Sequence, residues 1–414
     1  MPREKHYLTA KIKLHPNIEQ TEALWIISDS ARRLYNLALE QRKSVYSHRK
    51  HDVSMFEQKR ELTYLREEYF PELHSQTAQE IIRDLDEAYK SYFKHYKTDK
   101  STRPPRFRGY KYFYTLTYPQ ASFHLEDNAI ILHNPKDWLR IEFAEGYRNI
   151  ERVKKIKQAE ICQHEGEYYA CISCEVIPER QKTTGKEIAF DPGSITLLTG
   201  YDGEQIVEVE SKALKKTAKY YDKAMDKIRS KIDLSKPGSK RHRRLIQAKR
   251  RTLKKRARRM KQINHCISKE LINMGYDAYY VGDWSKKETL ADTGIPVVDK
   301  KINRVVQNEL PVGILVDYLR YKANLKSKQV EKVNEARSTN TCSCCGHVGK
   351  KLPITIRTFR CEKCGLKLNR DENAAINLYR WYAAPLTGPA PIKSRMSIKF
   401  VFGRYNKCLV QTSA

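Results

Sequence analysis

Three short stretches decide the fold of this chain: CSCC at Cys342–Cys345, CEKC at Cys361–Cys364 and NRDENAA at Asn369–Ala375. Each Cys-x-x-Cys pair presents two thiolates that can take two corners of a tetrahedron, which is the geometry that zinc prefers. A glycine follows the second cysteine of each pair and supplies the turn that lets backbone amides approach the sulfurs. The spacing therefore predicts a zinc knuckle whose ligands are Cys342, Cys345, Cys361 and Cys364.

Two aspartates occupy positions that a metal-dependent nuclease requires. Asp191 ends the apolar strand predicted over 187–191, and Asp371 opens the alanine-rich helix that follows the knuckle. Cleavage of a phosphodiester by two metal ions needs several carboxylates that converge on one point. Taken singly, Asp191 is equally well a turn residue before Pro192, and Asp371 an N-cap. Together in one chain they predict a magnesium site.

The composition indicates a polyanionic partner. The 414 residues carry a formal net charge of +30, and nucleic acid is the polyanion that such a surplus favours. Membrane lipid is the competing partner, but the mean hydropathy is −0.72, and we find neither a signal peptide nor an apolar run near the roughly 18 residues of a membrane span. The cysteines outside the knuckle are scattered, which is typical of a reducing cytoplasm.

The positive charge is concentrated in the segment 212–262. Between Lys212 and Lys261, 22 lysines and arginines face three aspartates, a surplus of 19. Leucine and isoleucine recur among these charges, and Pro237-Gly238 interrupts them, which predicts a helical hairpin with one apolar stripe. Its outer face would bind phosphates, and a solvated hairpin without a ligand is the alternative. The candidate phosphate-binding residues are Arg241, Arg243, Arg244, Lys254, Lys255 and Arg258.

A second cationic segment carries many aromatic residues. Arg106, Arg108 and Lys111 alternate with a set of rings, namely Tyr110, Tyr112, Phe113, Tyr114 and Tyr118. Aromatic platforms beside cations bind single strands and RNA bases. The same rings are equally consistent with the core of a β-domain, so the segment predicts either a nucleic-acid surface or a core.

The order of predicted elements indicates a helical module inserted into a strand-rich one, followed by a mixed sheet. The N-terminal half is predicted to contain a strand over 6–14, helices over 18–48 and 75–96, and short strands over 112–178. After residue 186, an Asp202-Gly203 turn indicates a hairpin. Further strands are predicted over 278–281 and 330–333, with a helix over 310–325 between them. This second half describes a mixed α/β sheet of RNase H type. The tail after Trp381 is predicted either as a late strand over 396–402 or as a partly disordered end.

These motifs together resemble those of the TnpB proteins, which are transposon-encoded RNA-guided DNA endonucleases related to type V CRISPR effectors. The strongest similarity is the knuckle followed by NRDENAAINL at Asn369–Leu378. LHPNIEQ at Leu14–Gln20 and RRLYNLAL at Arg32–Leu39 resemble the opening helix pattern of the family, and Ser75–Ala88 followed by PRFR at Pro105–Arg108 resembles its next landmark. The resemblance covers nearly the whole chain.

The resemblance implies an α/β plus β-barrel architecture. An RNase H-like (RuvC-like) nuclease domain with an inserted zinc knuckle would follow a wedge β-barrel that carries a helical recognition module. The implied domains are the barrel at 1–15 plus 103–185, the recognition module at 16–102, the nuclease domain at 186–414 with its basic hairpin at 212–262, and the knuckle at 338–368.

The resemblance also implies the partners. A guide RNA from the transposon end would pair with double-stranded target DNA, while the helical segment reads a short adjacent motif, with Ser75 and Gln79 as candidate contacts. Structural Zn²⁺ and catalytic Mg²⁺, two ions in the usual mechanism, are the implied cofactors. A prokaryotic cytoplasmic protein associated with the nucleoid is expected, and monomer and dimer both remain open.

One departure from the family pattern concerns the second carboxylate of the nuclease site. The family places a glutamate ahead of an aspartate there, whereas this chain reads Val281-Gly282-Asp283. Strand alternation would point Asp283 to the opposite face, while Glu335 follows the neighbouring predicted strand, only about 4.8 Å away. We therefore predict Asp191, Glu335 and Asp371 as the catalytic and magnesium-binding set, with Asp283 as the weaker candidate.

Two other functions are compatible with this departure. A site with two carboxylates would bind Mg²⁺ poorly and leave a nuclease-inactive RNA-guided DNA-binding protein, a repressor. A DNA-cutting transposase that acts without RNA is the third hypothesis, and it leaves the excess of positive charge less explained.

Overall fold

The computed structural model describes residues 6–135, 138–144, 153–164, 166–179, 182–284, 296–304, 309–350, 352–353, 356–385, 388–402 and 408–413. The chain divides into two compact units, Met1–Ile177 and Pro178–Ala414. Within the described ranges, none of the helices is at once long and apolar enough to traverse a bilayer.

The first unit combines helices with two antiparallel sheets. Its helices are α1 (Ile18–Arg49), α2 (Met55–Tyr69) and α3 (Ser75–Tyr96), and its strands are β1 (His6–Leu14), β2 (Leu116–Pro119), β3 (Phe123–Leu125), β4 (Ala129–His133), β5 (Trp138–Glu142), β6 (Val153–His164) and β7 (Glu167–Val176). One sheet has the order β1-β7-β6-β2 and the other β3-β4-β5. Asn17 and Ser54 form capping boxes that fix where α1 and α2 begin.

The second unit is built on a seven-stranded sheet. Its strands and helices are β8 (Glu187–Pro192), β9 (Thr196–Tyr201), β10 (Gln205–Glu210), α4 (Lys212–Asp233), α5 (Lys240–Asn273), β11 (Ala278–Gly282), α6 (Pro296–Arg304), α7 (Val312–Asn324), β12 (Gln329–Val333), β13 (Thr358–Arg360), β14 (Lys367–Asn369), α8 (Arg370–Tyr382), β15 (Ser394–Phe402) and β16 (Cys408–Ser413). The sheet order is β12-β11-β8-β9-β10-β15-β16, and β13 pairs with β14 separately.

Strand alternation decides what each face of the large sheet packs against. On β8, Ile188 and Phe190 join a core with residues of α4, α5 and α7, whereas Ala189 joins a core with Ala375 and Ile376 of α8. Successive side chains of a strand point to opposite faces, so Asp191 shares the α8 face with Ala189. The central strand therefore delivers an acid to the start of α8.

The basic hairpin is longer than the sequence predicts. We expected it to end at residue 262, but α5 continues to Asn273. Its last turns bury Ile263, Ile267 and Leu271 against the large sheet. The charged part of the hairpin thus extends from a helix that is anchored in the core.

The C-terminal tail forms two strands of the large sheet. β15 pairs in parallel with β10, and β16 pairs antiparallel with β15. Of the two alternatives for this tail, the structure shows the strand.

Candidate active site and metal centre

Asp191 is a buried carboxyl group at the end of the central strand β8. Its residue exposure is 7%, and it belongs to the strand rather than to a turn. Burial raises the pKa of Asp191 well above the usual value for aspartate, and the negative charges of Glu335 and Asp371 raise it further, while Arg370 opposes the rise. The charges of Glu335 and Asp371, from two other parts of the chain, therefore act on Asp191.

Asp371 lies in the first turn of α8, next to the same strand end. Asn369 is the N-cap of this helix, and its Oδ1 accepts a hydrogen bond from the Asp371 amide at 2.9 Å. The Asp371 side chain is thereby left for other contacts, and Arg357 Nη1 lies 3.3 Å from its Oδ1. A Cβ atom added to Gly193 would lie 3.9 Å from Asp371 Oδ2, so this carboxylate reaches the residues that follow Asp191.

Glu335 takes the space that the missing glutamate side chain would need. Gly282 pairs with Val333 in the parallel β11–β12 ladder, and Glu335 follows two residues later. A Cβ atom added to Gly282 would collide with Glu335 Oε2 and lie 3.0 Å from Pro192 Cδ. Glycine at this position is what admits the Glu335 carboxylate from the neighbouring strand. Glu335 and Asp371 both lie close enough to Asp191 for their charges to act on it.

The structure does not bring Asp283 into this cluster. Its side chain is 65% exposed and pairs with Lys332 Nζ at 3.6 Å. The amide of Asp283 donates to the Val333 carbonyl at 2.8 Å, which continues the ladder and directs the side chain to the other face of the sheet.

The four predicted cysteines form a compact thiol cluster. Their sulfurs all lie within 4.8 Å of one another, and Cys344 and His347 are not in the group. The Sγ–Sγ distances are 3.6 Å for Cys342–Cys364 and 3.6 Å for Cys345–Cys361. A zinc tetrahedron with Zn–S bonds of about 2.3 Å has edges of about 3.8 Å, so the cluster fits zinc without rearrangement.

Glycines form the tight turns of the knuckle. Gly346 and Gly365 have φ values of 71° and 74°, which is the left-handed region that favours glycine. Their amides donate to the carbonyls of Cys342 and Cys361 at 3.0 and 3.1 Å. Two backbone hydrogen bonds therefore close the loops that present the thiols.

Two buried asparagines, which the sequence analysis did not identify, tie the knuckle to α8. Asn373 Oδ1 accepts from the Ser343 amide at 2.9 Å, and its Nδ2 donates to the Thr341 carbonyl at 2.8 Å. Asn377 Nδ2 donates to the Ser338 and Thr341 carbonyls at 2.8 and 2.7 Å. The available signal was a pair of asparagines one turn apart in an apolar helix, which need buried partners.

The predicted cations are mostly on the surface of their own units. On α5, Lys254 is half-buried and the other five candidates are exposed. In the first unit, Arg106, Arg108 and Lys111 are exposed. Gln79 of α3 lines a groove with four residues of α2, namely Lys59, Arg60, Tyr64 and Glu67. Ser75 is the first residue of α3.

The aromatic residues of the second cationic segment divide between core and surface. Phe113, Tyr114 and Tyr118 are buried, while Tyr110 and Tyr112 are 74% and 43% exposed. Tyr114 is held inside because its hydroxyl donates to Asp84 Oδ2 at 2.9 Å. The Arg108 guanidinium lies 5.3 Å and 5.0 Å from the ring centres of Tyr35 and Tyr112, so it stacks within the protein as well. The stacking surface is smaller than the sequence suggests.

Comparisons with known proteins agree with these motifs. A model of the Cas12f1-like TNB domain matches residues 313–378, which include the knuckle and Asp371. A helix-turn-helix domain model matches residues 7–51, where the structure has β1 followed by α1. The chain is 25% identical over 309 residues to the "Putative RNA-guided DNA endonuclease InsQ" of Escherichia coli (strain K12), which covers 73% of each chain.

A viral relative names the family directly. The chain is 29% identical over 210 residues to the TnpB-like protein L79 of Acanthamoeba polyphaga mimivirus. The chain is therefore similar to TnpB-like proteins. The match covers 47% of this chain, which spans only 38% of the length of L79.

Solved structures with a similar fold are Cas12 effectors. The Cas12f1–sgRNA–target DNA complex matches with a TM-score of 0.62 at 12% identity, covering 90% of this chain and 98% of that chain. The mini-RNA-guided endonuclease CRISPR-Cas_phi3 matches with a TM-score of 0.50 at 10% identity, covering 93% and 94%. At such identities the likeness concerns the fold alone.

The raised pKa of Asp191 predicts a pH-dependent gain in stability when its charge is removed. Because the pKa of Asp191 is raised in the folded state, the folded chain binds this proton more tightly than the unfolded chain does. The resulting stabilisation of the fold is complete below the unfolded-state pKa and is lost as the pH rises through the folded-state pKa. In EDTA, Asp191→Asn should therefore melt above the wild type at neutral pH, by about 2 to 4 °C for each kcal/mol. The difference should shrink as the pH falls below the usual aspartate range.

Melting curves between pH 3 and 8 measure this effect, with Asp283→Asn as the matched control in the same sheet. Added Mg²⁺ should raise the melting temperature of the wild type and leave Asp191→Asn unchanged. Equal melting temperatures of Asp191→Asn and wild type at neutral pH would count against the crowding of acids around Asp191.

The thiol cluster predicts one zinc ion per chain, measurable by native mass spectrometry. Cys361→Ser should lose the ion and lower the melting temperature, because metal binding is coupled to folding of the knuckle. Hydrogen exchange should also quicken in the first turns of α8, to which the knuckle is bonded through Asn373. Cys344→Ser is the control and should retain zinc; equal zinc loss from both variants would refute this ligand set.

Proposed function

We propose that this chain is an RNA-guided DNA endonuclease of a transposon, with an RNase H-like (RuvC-like) nuclease domain over 186–414. The observation that carries the proposal is the convergence of Asp191 on strand β8, Glu335 just after strand β12 and Asp371 at the start of α8. The names of relatives support it, since InsQ is named as an RNA-guided DNA endonuclease. The solved complex of similar fold contains guide RNA and target DNA.

The three acids fit divalent magnesium by their chemistry. Hard oxygen donors suit Mg²⁺. Burial raises the pKa of Asp191, and the charges of Glu335 and Asp371 raise it further; bound positive charge would offset both effects. Asp191, Glu335 and Asp371 would hold the ions. When bound, a Mg²⁺ pair supplies an activated water and stabilises the leaving 3′ oxygen.

The residues of the chain have separate tasks in this mechanism. Asp191 is buried on β8, so its carboxyl group is surrounded by protein. Arg357 restrains the Asp371 carboxylate from the side, at 3.3 Å. Gly282 leaves room for Glu335, and Asn373 and Asn377 hold the start of α8 against the knuckle. The scissile phosphate would enter beside these three carboxylates.

Nucleic acid would bind to the cationic surfaces of each unit. The exposed face of α5 suits the sugar–phosphate backbone of a guide–target heteroduplex, because cations that contact phosphates carry no sequence information. In the first unit, the groove beside Gln79 offers Lys59, Arg60 and Tyr64 for reading a short adjacent motif. We assign the wedge barrel to 1–15 plus 103–185 and the recognition module to 16–102.

The nuclease-inactive alternative depends on Gly282, since a chain that merely lost its glutamate would bind DNA without cutting it. A Cβ at position 282 would collide with Glu335 Oε2. This favours replacement of the family's glutamate by Glu335 over loss of that carboxylate from the site. A co-purifying RNA would in turn argue against the RNA-independent transposase.

The central experiment is plasmid cleavage by the chain expressed with its flanking DNA. We expect bound RNA, and Mg²⁺-dependent cleavage next to a motif that a randomised library reveals. Asp191→Ala should lower the cleavage rate by about 10³-fold or more, as removal of a main stabilising group does, and should keep the bound RNA. Cleavage by Asp191→Ala at the wild-type rate would overturn the site.

Three further variants test whether Glu335 takes the place of the glutamate that the family has where this chain has Gly282. Glu335→Gln should abolish cleavage almost as fully as Asp191→Ala, whereas Asp283→Asn should cut like the wild type because its side chain faces solvent. Gly282→Ala should lose much of the activity with little change in melting temperature, because the added methyl group displaces the flexible end of Glu335. Strong loss in Asp283→Asn with full activity in Glu335→Gln would reverse the assignment.

A further inference from the structure

We propose that Arg395 of the C-terminal strand β15 is a positioning residue for the active site. It would act through Glu372, the neighbour of Asp371 in the first turn of α8. This inference rests on the proposed function only in its consequence for cleavage. The positioning itself is a statement about metal affinity.

The contact between Arg395 and Glu372 is a two-point ion pair. Arg395 Nε donates to Glu372 Oε1 at 2.8 Å and Nη2 donates to Oε2 at 3.3 Å. Bidentate pairs of this kind fix orientation as well as charge. The Glu372 side chain is only 8% exposed, while that of Arg395 is 59% exposed. A buried carboxylate is therefore neutralised by an arginine that reaches it from the surface.

The backbone position of Arg395 is fixed by the sheet. Arg395 pairs with Ile206 in the parallel β10–β15 ladder. Just before it, the Lys393 amide donates to the Glu204 carbonyl at 2.8 Å, and Gln205 Nε2 donates to Ser394 Oγ at 2.9 Å. These contacts fix the backbone of β15 beside β10 at the point where Arg395 reaches Glu372.

The charge of Arg395 also acts on a further acid, Glu208. Glu208 and Asp191 lie in one row across the sheet, since each pairs with Thr199 of β9. Burial raises the pKa of Glu208, with Glu372 and Asp371 adding to the rise, and Arg395 opposes it. Arg395 thus faces a group of acids that adjoins the proposed metal site.

Loss of Arg395 would leave Glu372 buried and unneutralised in the same turn as Asp371. Leaving one charge of a buried pair without its partner is strongly unfavourable. The first turn of α8 would shift to expose Glu372, and Asp371 would move with it. The structure therefore links the C-terminal strand to the position of the Asp371 carboxylate in the first turn of α8.

The test measures Mn²⁺ binding by electron paramagnetic resonance, using the full chain freed of nucleic acid so that phosphates do not bind the ion. Arg395→Gln should weaken Mn²⁺ affinity at the site about tenfold or more, as removal of partners that orient ligands does. Lys399→Gln is the matched control, because Lys399 lies on the same strand and pairs with Glu210 instead, at 3.7 Å. The control should bind like the wild type.

Two further variants separate positioning from a general effect on folding. Arg395→Lys keeps the charge and loses the second hydrogen bond, so its affinity should lie between those of wild type and Arg395→Gln. In the double variant Glu372→Gln, Arg395→Gln the losses should be less than additive, because Arg395 acts through Glu372. Equal Mn²⁺ affinity in wild type, Arg395→Gln and Lys399→Gln would overturn the proposal.

The readout separates this inference from the proposed function. If the wild type binds Mn²⁺ through Asp191 and fails to cut DNA, the endonuclease is refuted while the role of Arg395 stands. If Arg395→Gln binds Mn²⁺ normally, Arg395 is not a positioning residue even in an active nuclease. If the wild type binds no more Mn²⁺ than Asp191→Asn, there is no site to position and the inference fails.

Discussion

The structure depends on holding two carboxylates, Glu335 and Asp371, close to a third, buried one, Asp191. Asp191 is 7% exposed, and its pKa is raised by burial and by the charges of Glu335 and Asp371. Such crowding is unfavourable for folding and persists only where the surroundings fix each acid. Strand β8 holds Asp191 within the β8–β11–β12 ladder, and the capped start of α8 holds Asp371. Glycine at position 282 leaves the space that Glu335 occupies. Their arrangement is what a divalent cation would stabilise.

The cysteine knuckle and the C-terminal strand both support one helix, α8. The knuckle reaches α8 through Asn373 and Asn377, whose amides bond to the carbonyls of Ser338 and Thr341. β15 reaches the same helix through the Arg395–Glu372 pair. Asp371 directly precedes Glu372 and Asn373, at which these two attachments are made. Both attachments hold the helix start, which would otherwise fray.

Local patterns in the sequence were enough to predict which four cysteines cluster and which strand end carries Asp191. Spacing fixes a Cys-x-x-Cys pair, and alternation along β8 separates Phe190 from Asp191. The ion pair between Arg395 and Glu372 was not predictable, because it depends on which strand β15 pairs with. The burial of Tyr114 and Tyr118 was also undecided, since aromatic rings between cations suit a surface and a core equally. Long-range pairing settles such choices, and sequence spacing carries little information about it.

Diffraction from crystals grown with Mn²⁺, recorded at the manganese absorption edge, would test the central claim most directly. The account predicts anomalous peaks coordinated by Asp191, Glu335 and Asp371, with Asp283 turned to solvent. Peaks at Asp191 and Asp371 with Glu335 directed away, or ligation by Asp283, would contradict it.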